Sequence, residues 1–403
     1  MFTGRVRLTV AACAAITACA SIEDSPAFRV ALDQCRNDHD SYSADVQIQA
    51  CTEIFNSPAR YTDDLHWLYA DRAMAYASRR DYALALADYE RALFESPNNA
   101  ALIFGRGLVQ EKMGDRTAAL ASYDLAIQLA PHIDTLFLGR GRFLLDDDKY
   151  DLAIADFDEA LRLDPANMDA RVARGRAYAG KKVYGLAVKD FDVALRDAPD
   201  DVEALFWRGR AHFGANDMPN AIADFTEAMR LAPALTGGGL QWRGRAYVRQ
   251  KDHDRAIADF DESARLLPER ASAHYYRCWG RLAGNRDLET GLAACNIALE
   301  RDPNYLAARF LGASTSLKLG DAAKALEGFD ACAQAAARPS GEDDELEADW
   351  GNTGVCLYGR GVARMRLAGM DVARRAEASR DLVVGSAAVP DVAAIFHSLG
   401  LDP

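Results

Sequence analysis

The sequence predicts an all-α protein, a solenoid of stacked helix pairs, and three observations support this prediction. Prolines recur at intervals of 34, 34, 34, 34, 35 and 35 residues, and each interval contains two segments with small and aromatic residues at helical spacing. Half of the 403 residues are hydrophobic, which suits closely packed helices. A period of this length is typical of helix-turn-helix units that bury their apolar faces only by stacking on one another. The recurring prolines are Pro97, Pro131, Pro165, Pro199, Pro233, Pro268 and Pro303.

Residues 1–18 are expected to be a signal peptide. Arg5 and Arg7 precede an apolar stretch that has the length of a signal-peptide core and is too short to span a bilayer. An ordinary cleavage site is also present, because Ala18 and Ala20 are small residues with one residue between them. Cleavage after Ala20 predicts a soluble periplasmic or secreted protein.

Residues 16–19, Ile-Thr-Ala-Cys, resemble the lipobox of bacterial lipoproteins, in which an aliphatic residue and two small residues precede a cysteine. The resemblance implies that Cys19 is lipidated and becomes the first residue of the mature chain, with residues 19–25 as a lipid-anchored linker. It further implies that Ala20 directs the protein to the outer membrane, facing the periplasm. Membrane contact is then expected only through the N-terminal lipid.

The period divides the rest of the chain into four parts. Residues 26–60 are expected to form a degenerate N-terminal helical repeat, and residues 66–336 about eight regular repeats. Residues 337–353 contain a run of acidic side chains, which predicts an inserted loop that is either solvated or a lid. Residues 354–403 are expected to form a degenerate C-terminal repeat and a capping helix, residues 392–399, over the open end of the stack.

The residues of each regular repeat resemble the tetratricopeptide repeat pattern. Helix A carries a large, a small and an aromatic residue, and helix B carries Ala, an aromatic residue and Ala before the closing Pro. The resemblance implies a right-handed superhelix of antiparallel helix pairs, in which a small residue at position 8 of helix A faces a small residue of helix B. In the first regular repeat, which starts at His66, the signature residues are Tyr69, Ala73, Tyr76, Ala85, Tyr89, Ala92 and Pro97.

The same resemblance implies a binding protein, because helix A lines the concave side of such a superhelix with its positions 2, 5, 9 and 12. Position 9 is arginine in four successive repeats, without an obvious acidic partner. We expect these arginines and nearby aromatic residues to form a partner-binding groove for envelope proteins or for acidic, extended peptides. The alternative is that the arginines only keep the groove soluble. The expected groove residues are Arg142, Arg176, Arg210, Arg245, Phe206, Trp207, Trp242 and Phe213.

A second series of arginines, at position 7, lies on another face of helix A. Helix B repeatedly carries Asp at position 23, so we predict an ion pair within each of these repeats. The expected pairs are Arg140 with Asp156, Arg174 with Asp190, Arg208 with Asp224 and Arg243 with Asp259.

Six cysteines follow Cys19, and an even number behind an export signal predicts disulfides. The repeat register brings two pairs into single helix–helix contacts, and the remaining two cysteines form a third pair across the acidic insertion. Each bridge should stabilise the fold by roughly 3 kcal/mol in the chain-entropy model. A zinc site is the alternative, but the sequence has no C-x₂-C pair and no His cluster with ligand spacing. The predicted pairs are Cys35 with Cys51, Cys278 with Cys295 and Cys332 with Cys356.

The overall charge and the missing motifs narrow the function further. The formal charge of −13 argues against nucleic acid or an anionic lipid surface as the ligand. The sequence has no catalytic, metal-ligand or cofactor motif, and its seven histidines are scattered over different repeats. We therefore expect a non-enzymatic scaffold or adaptor of the bacterial cell envelope. The alternatives are a soluble secreted or intracellular scaffold without a lipid anchor, and an enzyme with an unfamiliar site. The partner and the oligomeric state stay open.

Overall fold

The structure, a computed structural model, describes residues 26–37, 41–56, 65–336, 353–369 and 371–403. The predicted signal peptide, Cys19 with its linker, and nearly all of the acidic insertion lie outside these residues. The described residues form α-helices and one short 3-10 turn, without a β-strand among them, so the all-α prediction is confirmed. The helices group into two units, residues 1–180 and 181–403.

In the first unit each helix packs on the next along the chain, as expected for stacked helix pairs. Its helices are α1 (Pro26–Arg36), α2 (Ala44–Asn56), α3 (Leu65–Ser78), α4 (Tyr82–Glu95), α5 (Ala100–Lys112), α6 (Arg116–Leu129), α7 (Asp134–Leu145), α8 (Tyr150–Leu163) and α9 (Met168–Gly180).

The second unit follows the same sequential packing, and its last short helix also contacts α19. Its helices are α10 (Tyr184–Asp197), α11 (Val202–Gly214), α12 (Met218–Leu231), α13 (Thr236–Arg249), α14 (His253–Leu266), α15 (Ala271–Gly284), α16 (Leu288–Arg301), α17 (Leu306–Lys318), α18 (Ala322–Ala336), α19 (Thr353–Ala368), α20 (Val372–Ala388) and α21 (Val392–Ser398). The 3-10 turn, Pro233–Leu235, precedes α13.

Local chemistry explains where the helices of a repeat begin and end. Two residues after the end of helix A the backbone has a positive φ, as at Gly114 (81°) after α5 and Asn216 (62°) after α11, because glycine and asparagine tolerate the left-handed conformation. The next helix then begins with a capping aspartate: Asp115 accepts a hydrogen bond from the Ala118 backbone N–H, and Asp217 accepts one from Asn220. These turns set the short connections that let consecutive helices pack against each other.

A glycine at position 8 lets helices A and B approach closely. A Cβ added to Gly141 would lie 2.6 Å from Cε1 of Phe157, whose side chain is fully buried. Phe157 thus occupies the space that a larger residue in α7 would require. The expected contact between the small position of helix A and helix B is present in this repeat.

We predict that Gly141→Ala and Gly185→Ala change stability in opposite directions. At Gly141 overpacking costs about 1–3 kcal/mol and offsets the helix-propensity gain of about 1 kcal/mol. Gly185, in the first turn of α10, has no atom within 4 Å of an added Cβ, so the substitution there should stabilise by up to about 1 kcal/mol. Urea unfolding of both variants measures this difference, and stabilisation at Gly141 would contradict the packing argument.

The arginines at position 7 hold successive repeats together. Arg140 donates from Nε and Nη2 to the carboxylate of Asp156, at 2.9 and 2.6 Å, and from Nη1 to Asp124 of the preceding repeat, at 2.6 Å. The predicted pairing is confirmed here, and the bond to the preceding helix B was not anticipated. The hydrogen bonds to Asp156 raise the pKa of Arg140 despite its burial. The same arrangement is found for Arg208 with Asp224 and Asp192, and for Arg243 with Asp259 and Thr226.

The structure brings the sulfur atoms of each predicted cysteine pair to bonding distance. The Sγ–Sγ distances are 2.10, 2.14 and 2.03 Å in chain order, and all six cysteines are fully buried. The first pair joins α1 to α2, the second α15 to α16, and the third α18 to α19. Each pair therefore links neighbouring helices. The pairs are Cys35–Cys51, Cys278–Cys295 and Cys332–Cys356.

The C-terminal helix α21 packs on the last helix pairs of the second unit. Its Phe396 packs on Phe310 of α17, Phe329 of α18 and Tyr358 of α19, whereas Val383 and Val384 on α20 remain 69% and 52% exposed. The helix thus covers a side of the last helix pairs and not the outer face of α20, because an aromatic surface is available there for Phe396. In the part of the chain that the structure describes, no helix combines the length and apolarity needed to cross a membrane.

Candidate partner-binding site

In the second unit, α11 and α13 bring most of the predicted groove residues together. Phe206, Trp207, Arg210 and Phe213 lie on α11, and Trp242 and Arg245 lie on α13. Arg249, one turn after Arg245, joins them. We call the following six residues the arginine–aromatic cluster: Arg210, Arg245, Arg249, Trp207, Trp242 and Phe213.

Arg245 is the most buried member of this cluster, with 4% of its surface exposed. Its guanidinium carbon lies 3.7 Å from the ring centroid of Trp242 and 4.9 Å from that of Phe213. Trp242 precedes Arg245 by three residues, so both side chains lie on one face of α13, and Phe213 comes from the adjacent α11. Arg245 is therefore held by cation–π contacts rather than by a carboxylate.

Two further arginines surround these rings. The guanidinium carbon of Arg210 lies 4.2 Å from the centroid of Trp207 and 4.5 Å from that of Trp242. Arg249 lies 3.9 Å from the ring of Phe213 and donates from Nη1 to the Phe213 carbonyl at 3.0 Å. Arg210 is half-buried and Arg249 is exposed, so the cluster presents positive charge to solvent.

The electrostatic surroundings of Arg245 are unfavourable for a cation. Burial lowers its pKa, and although Tyr276 and Tyr275 act in the opposite direction, the charges of Arg210 and Arg249 lower it further. Within residues 26–37, 41–56, 65–336, 353–369 and 371–403, no carboxylate forms an ion pair with Arg245. Burial also lowers the pKa of Arg249. Binding of an anion near Arg245 would therefore stabilise its charged guanidinium group.

The other two arginines at position 9 belong to the first unit. Arg142 has an acidic neighbour there, Asp169 at position 2 of the next repeat, at 3.6 Å, with half of the Arg142 side chain exposed. The sequence-based expectation that position 9 has no acidic partner is therefore wrong for Arg142. Arg176 lies on α9 and is half-buried. In the repeat after Arg245, the residue equivalent to Asp169 is Ser272, which carries no charge.

Phe206, another residue expected in the groove, is a neighbour of Trp242. Its ring packs edge-on against Trp242, with centroids 6.5 Å apart, and against Phe225, with centroids 5.6 Å apart. It thus supports Trp242 from the core side. Sequence reasoning missed Arg249 and Tyr276. The four-residue spacing of Arg245 and Arg249 places both on one helix face and could have revealed Arg249.

The described parts of the chain contain no group of three His, Cys, Asp or Glu residues that could hold a metal ion.

Comparisons with known proteins agree with the repeat architecture. The tetratricopeptide repeat family matches residues 70–132, 138–201 and 184–235. No protein of curated function matches the chain in sequence. Similar solved structures include the APC/C hetero-tetramer Cut9–Hcn1, with a TM-score of 0.51 and 16% identity over 68% of this chain and 52% of that chain. This likeness concerns the fold.

Two other similar solved structures are matched over nearly their whole length. PilW, a widely conserved type IV pilus biogenesis factor, has a TM-score of 0.49 and 21% identity over 51% of this chain and 96% of that chain. A tetratricopeptide repeat protein from Parabacteroides merdae ATCC 43184 has a TM-score of 0.49 and 16% identity, over 68% of this chain and 100% of that chain.

Proposed function

Because this chain is a tetratricopeptide-repeat protein, and so an interaction scaffold by class, we propose that it is a non-enzymatic adaptor of the cell envelope that binds acidic, extended segments of partner proteins at the arginine–aromatic cluster. The observation that carries this proposal is the buried guanidinium of Arg245, which lies near two further arginines and, among the described residues, forms no ion pair with a carboxylate. A buried charge without a counter-ion costs several kcal/mol, so such a site is favourable for a ligand that supplies the missing anion.

The geometry suggests how the cluster would act on a peptide. Arg245 is too buried to be reached first, but its charge adds to the positive potential at Arg210 and Arg249. These two side chains lie against aromatic rings, which restrict the rotamers of both guanidinium groups. An acidic side chain of the partner would therefore pair with Arg210 or Arg249, and its apolar neighbours would contact Trp207 and Trp242.

Charge reversal in the cluster tests the proposal directly. The double variant Arg210→Glu with Arg249→Glu should bind a fluorescein-labelled oligoglutamate peptide at least about tenfold more weakly than the unchanged protein, a loss of about 1.4 kcal/mol or more. Fluorescence anisotropy at low and at physiological salt measures the affinity, which should fall with added salt. An oligoserine peptide serves as the uncharged reference and should not bind.

The matched control reverses two arginines on helix B of the same repeats. Arg230 and Arg265 are 65% and 68% exposed and pair with Glu227 and Glu262 within their own helices. The double variant Arg230→Glu with Arg265→Glu changes the net charge equally, yet it should keep peptide affinity within about twofold at physiological salt. Equal losses in the two double variants would mean that only net charge matters, and this result would refute a specific site.

Arg245→Met separates a binding role from a structural one. Methionine keeps most of the apolar contact with Trp242 but removes the buried charge, so the free energy of unfolding should stay unchanged or rise by about 1 kcal/mol. Peptide affinity should fall nevertheless, because the local positive potential decreases. Urea unfolding and anisotropy on the same samples test both expectations, and a loss of stability with unchanged affinity would assign Arg245 to the core alone.

The envelope location rests on the N-terminal motif and on the cysteines. Residues 16–19 resemble a lipobox, so Cys19 would be the lipid acceptor directly after the expected export signal. The three cysteine pairs support export, because disulfides persist mainly in oxidising compartments. We therefore infer anchoring at the outer membrane by a lipid on Cys19, with the repeats in the periplasm; the second possibility is a soluble scaffold without the lipid.

Metabolic labelling distinguishes these two forms. Cells that express the full chain should incorporate labelled palmitate into it, and Cys19→Ala should abolish the label and move the protein to the soluble fraction. Cys13→Ala, within the predicted signal peptide, is the matched control and should leave labelling intact. A chain that is exported without label would support cleavage after Ala20 and a soluble scaffold.

A further inference from the structure

The C-terminal segment, residues 391–403, covers a large apolar surface for its size. Three of its side chains, Val392, Phe396 and Leu401, are fully buried, and Leu399 is 5% exposed. The segment consists of the seven-residue helix α21 and a tail that turns back through Gly400, which has a positive φ of 65°. It therefore has one apolar face that is wholly covered by the rest of the second unit.

The surface beneath this segment is built like the helix-A surfaces expected to bind partners. Phe310 of α17 and Tyr358 of α19 both occupy position 5 of a helix A, and Phe329 of α18 lies behind them. The ring of Phe396 lies 5.7 Å from Phe310, 6.2 Å from Phe329 and 5.0 Å from Tyr358, centroid to centroid. Aromatic rings at these distances attract one another. Phe396 thus fills a pocket between the helix pair α17–α18 and the helix α19.

Polar contacts fix the tail in one orientation. Lys318, at the end of α17, donates from Nζ to the Leu399 carbonyl, and Arg366 of α19 donates from Nη2 to the Asp402 carbonyl at 3.3 Å. Both side chains donate hydrogen bonds to backbone carbonyl groups. Any peptide with a short helix that ends at this point would present such carbonyl groups. These two hydrogen bonds therefore do not depend on the identity of the side chains at residues 399 and 402.

The segment has the properties of a ligand and not of a repeat. A seven-residue helix is too short to be stable alone, so α21 forms only together with its docking. It is joined to α20 through Pro390 and Asp391, which are both exposed. The surface beneath belongs to α17, α18 and α19, which pack directly on one another, and the Cys332–Cys356 pair links α18 to α19. Release of the segment would thus leave these pairs assembled.

We propose that residues 391–403 are an intramolecular ligand of the surface around Phe310, Phe329 and Tyr358, and that this surface binds a short partner helix of the same pattern when the segment leaves. The pattern is an aliphatic residue, an aromatic residue four positions later and a leucine after the turn, as in Val392, Phe396 and Leu401. The site is separate from the arginine–aromatic cluster, and the proposal does not depend on that cluster. Binding of a partner here is inhibited by the chain's own segment.

Hydrogen exchange on the unchanged protein gives the first test. If the segment leaves by local opening, the backbone amides of residues 395–401 should exchange at least about tenfold faster than those in the middle of α17 and α19. Mass spectrometry of peptic fragments measures both sets in one sample. Equal protection in the segment and in these helices would overturn the proposal, because the segment would then open only with the fold.

Peptide binding gives the second test. A fluorescein-labelled peptide with the sequence of residues 391–403 should bind full-length Phe396→Asp at least about tenfold more tightly than the unchanged chain, in which the native segment competes at high effective concentration. Ala394→Asp is the matched control, because Ala394 is exposed on the same helix, and it should behave like the unchanged chain. Far-UV circular dichroism verifies that both variants are folded.

Two outcomes of the peptide experiment oppose the proposal. A folded Phe396→Asp protein that does not bind the peptide would overturn it, as would equal binding by both variants. The Arg210→Glu, Arg249→Glu double variant combined with Phe396→Asp should still bind this peptide with unchanged affinity. The experiments therefore test acidic-peptide binding at the arginine–aromatic cluster and docking of residues 391–403 independently of each other. If Phe396→Asp does not fold, the exchange experiment on the unchanged chain decides.

Discussion

Replacement of Asp88 with alanine should lower the free energy of unfolding by about 3–5 kcal/mol, because it leaves a buried arginine without its counter-ion. Arg72 and Asp88 are 8% and 1% exposed, and Arg72 donates from Nε and Nη2 to the two carboxylate oxygens at 2.6 and 2.9 Å. The guanidinium also lies 4.5 Å from the ring centroid of Phe55, so it cannot turn towards water without losing that contact. The charge would remain buried and unpaired.

Urea unfolding monitored by circular dichroism measures this loss, read at the transition of the first unit. Glu227→Ala is the control, because Glu227 pairs with Arg230 at 2.6 Å on the surface of α12, where both side chains are well exposed. An exposed pair of this kind contributes only about 0–1 kcal/mol. If the two substitutions cost the same, the arginines at position 7 would not stabilise the fold through buried pairing.

Removal of the Cys278–Cys295 bridge should cost about 3 kcal/mol, the entropy of closing a loop of this length in the unfolded chain. The two cysteines are 17 residues apart, join α15 to α16 and are both fully buried. The double variant Cys278→Ala with Cys295→Ala keeps the site apolar, so that its main effect is on the unfolded state. Thermal unfolding of the oxidised forms compares the variant with the unchanged protein.

Reduction of the samples provides the control for the bridge. Dithiothreitol should destabilise the unchanged protein more than the double variant, which retains only the other two pairs. Peptide mapping without reduction should recover Cys278 linked to Cys295 in the exported protein. Free thiols at these positions would contradict the pairing, and equal stability of the variant and the unchanged protein would contradict the entropic contribution.

The sequence predicted the helix pairs well because the signals are local. The spacing of Tyr69, Ala73 and Tyr76 along one helix, and the turn residues after it, depend only on the helical period and on backbone sterics. The pairing of position 7 with Asp at position 23 could be predicted for the same reason, since both residues lie in one repeat. The register also limited the cysteine pairs, because each predicted pair involves neighbouring helices.

The candidate site was predicted less completely because it depends on contacts between repeats. Arg142 and Arg245 are equivalent in sequence, yet Arg142 lies near Asp169 whereas Arg245 is buried against Trp242. The difference comes from position 2 of the following repeat, which is Asp169 after Arg142 and Ser272 after Arg245. Only stacking brings that position close enough to neutralise the arginine.

By itself, therefore, the sequence determined the repeat period, the helix boundaries, the all-α class and the pairs within a repeat, since these follow from residues close along the chain. The tertiary structure decided which arginines are neutralised, which aromatic rings surround them and where the C-terminal segment lies. The physical reason is that burial and pairing are set by neighbours from other repeats. Phe396 shows this most clearly: its helix is apolar in sequence, but only the folded chain offers the pocket of Phe310, Phe329 and Tyr358 that it fills.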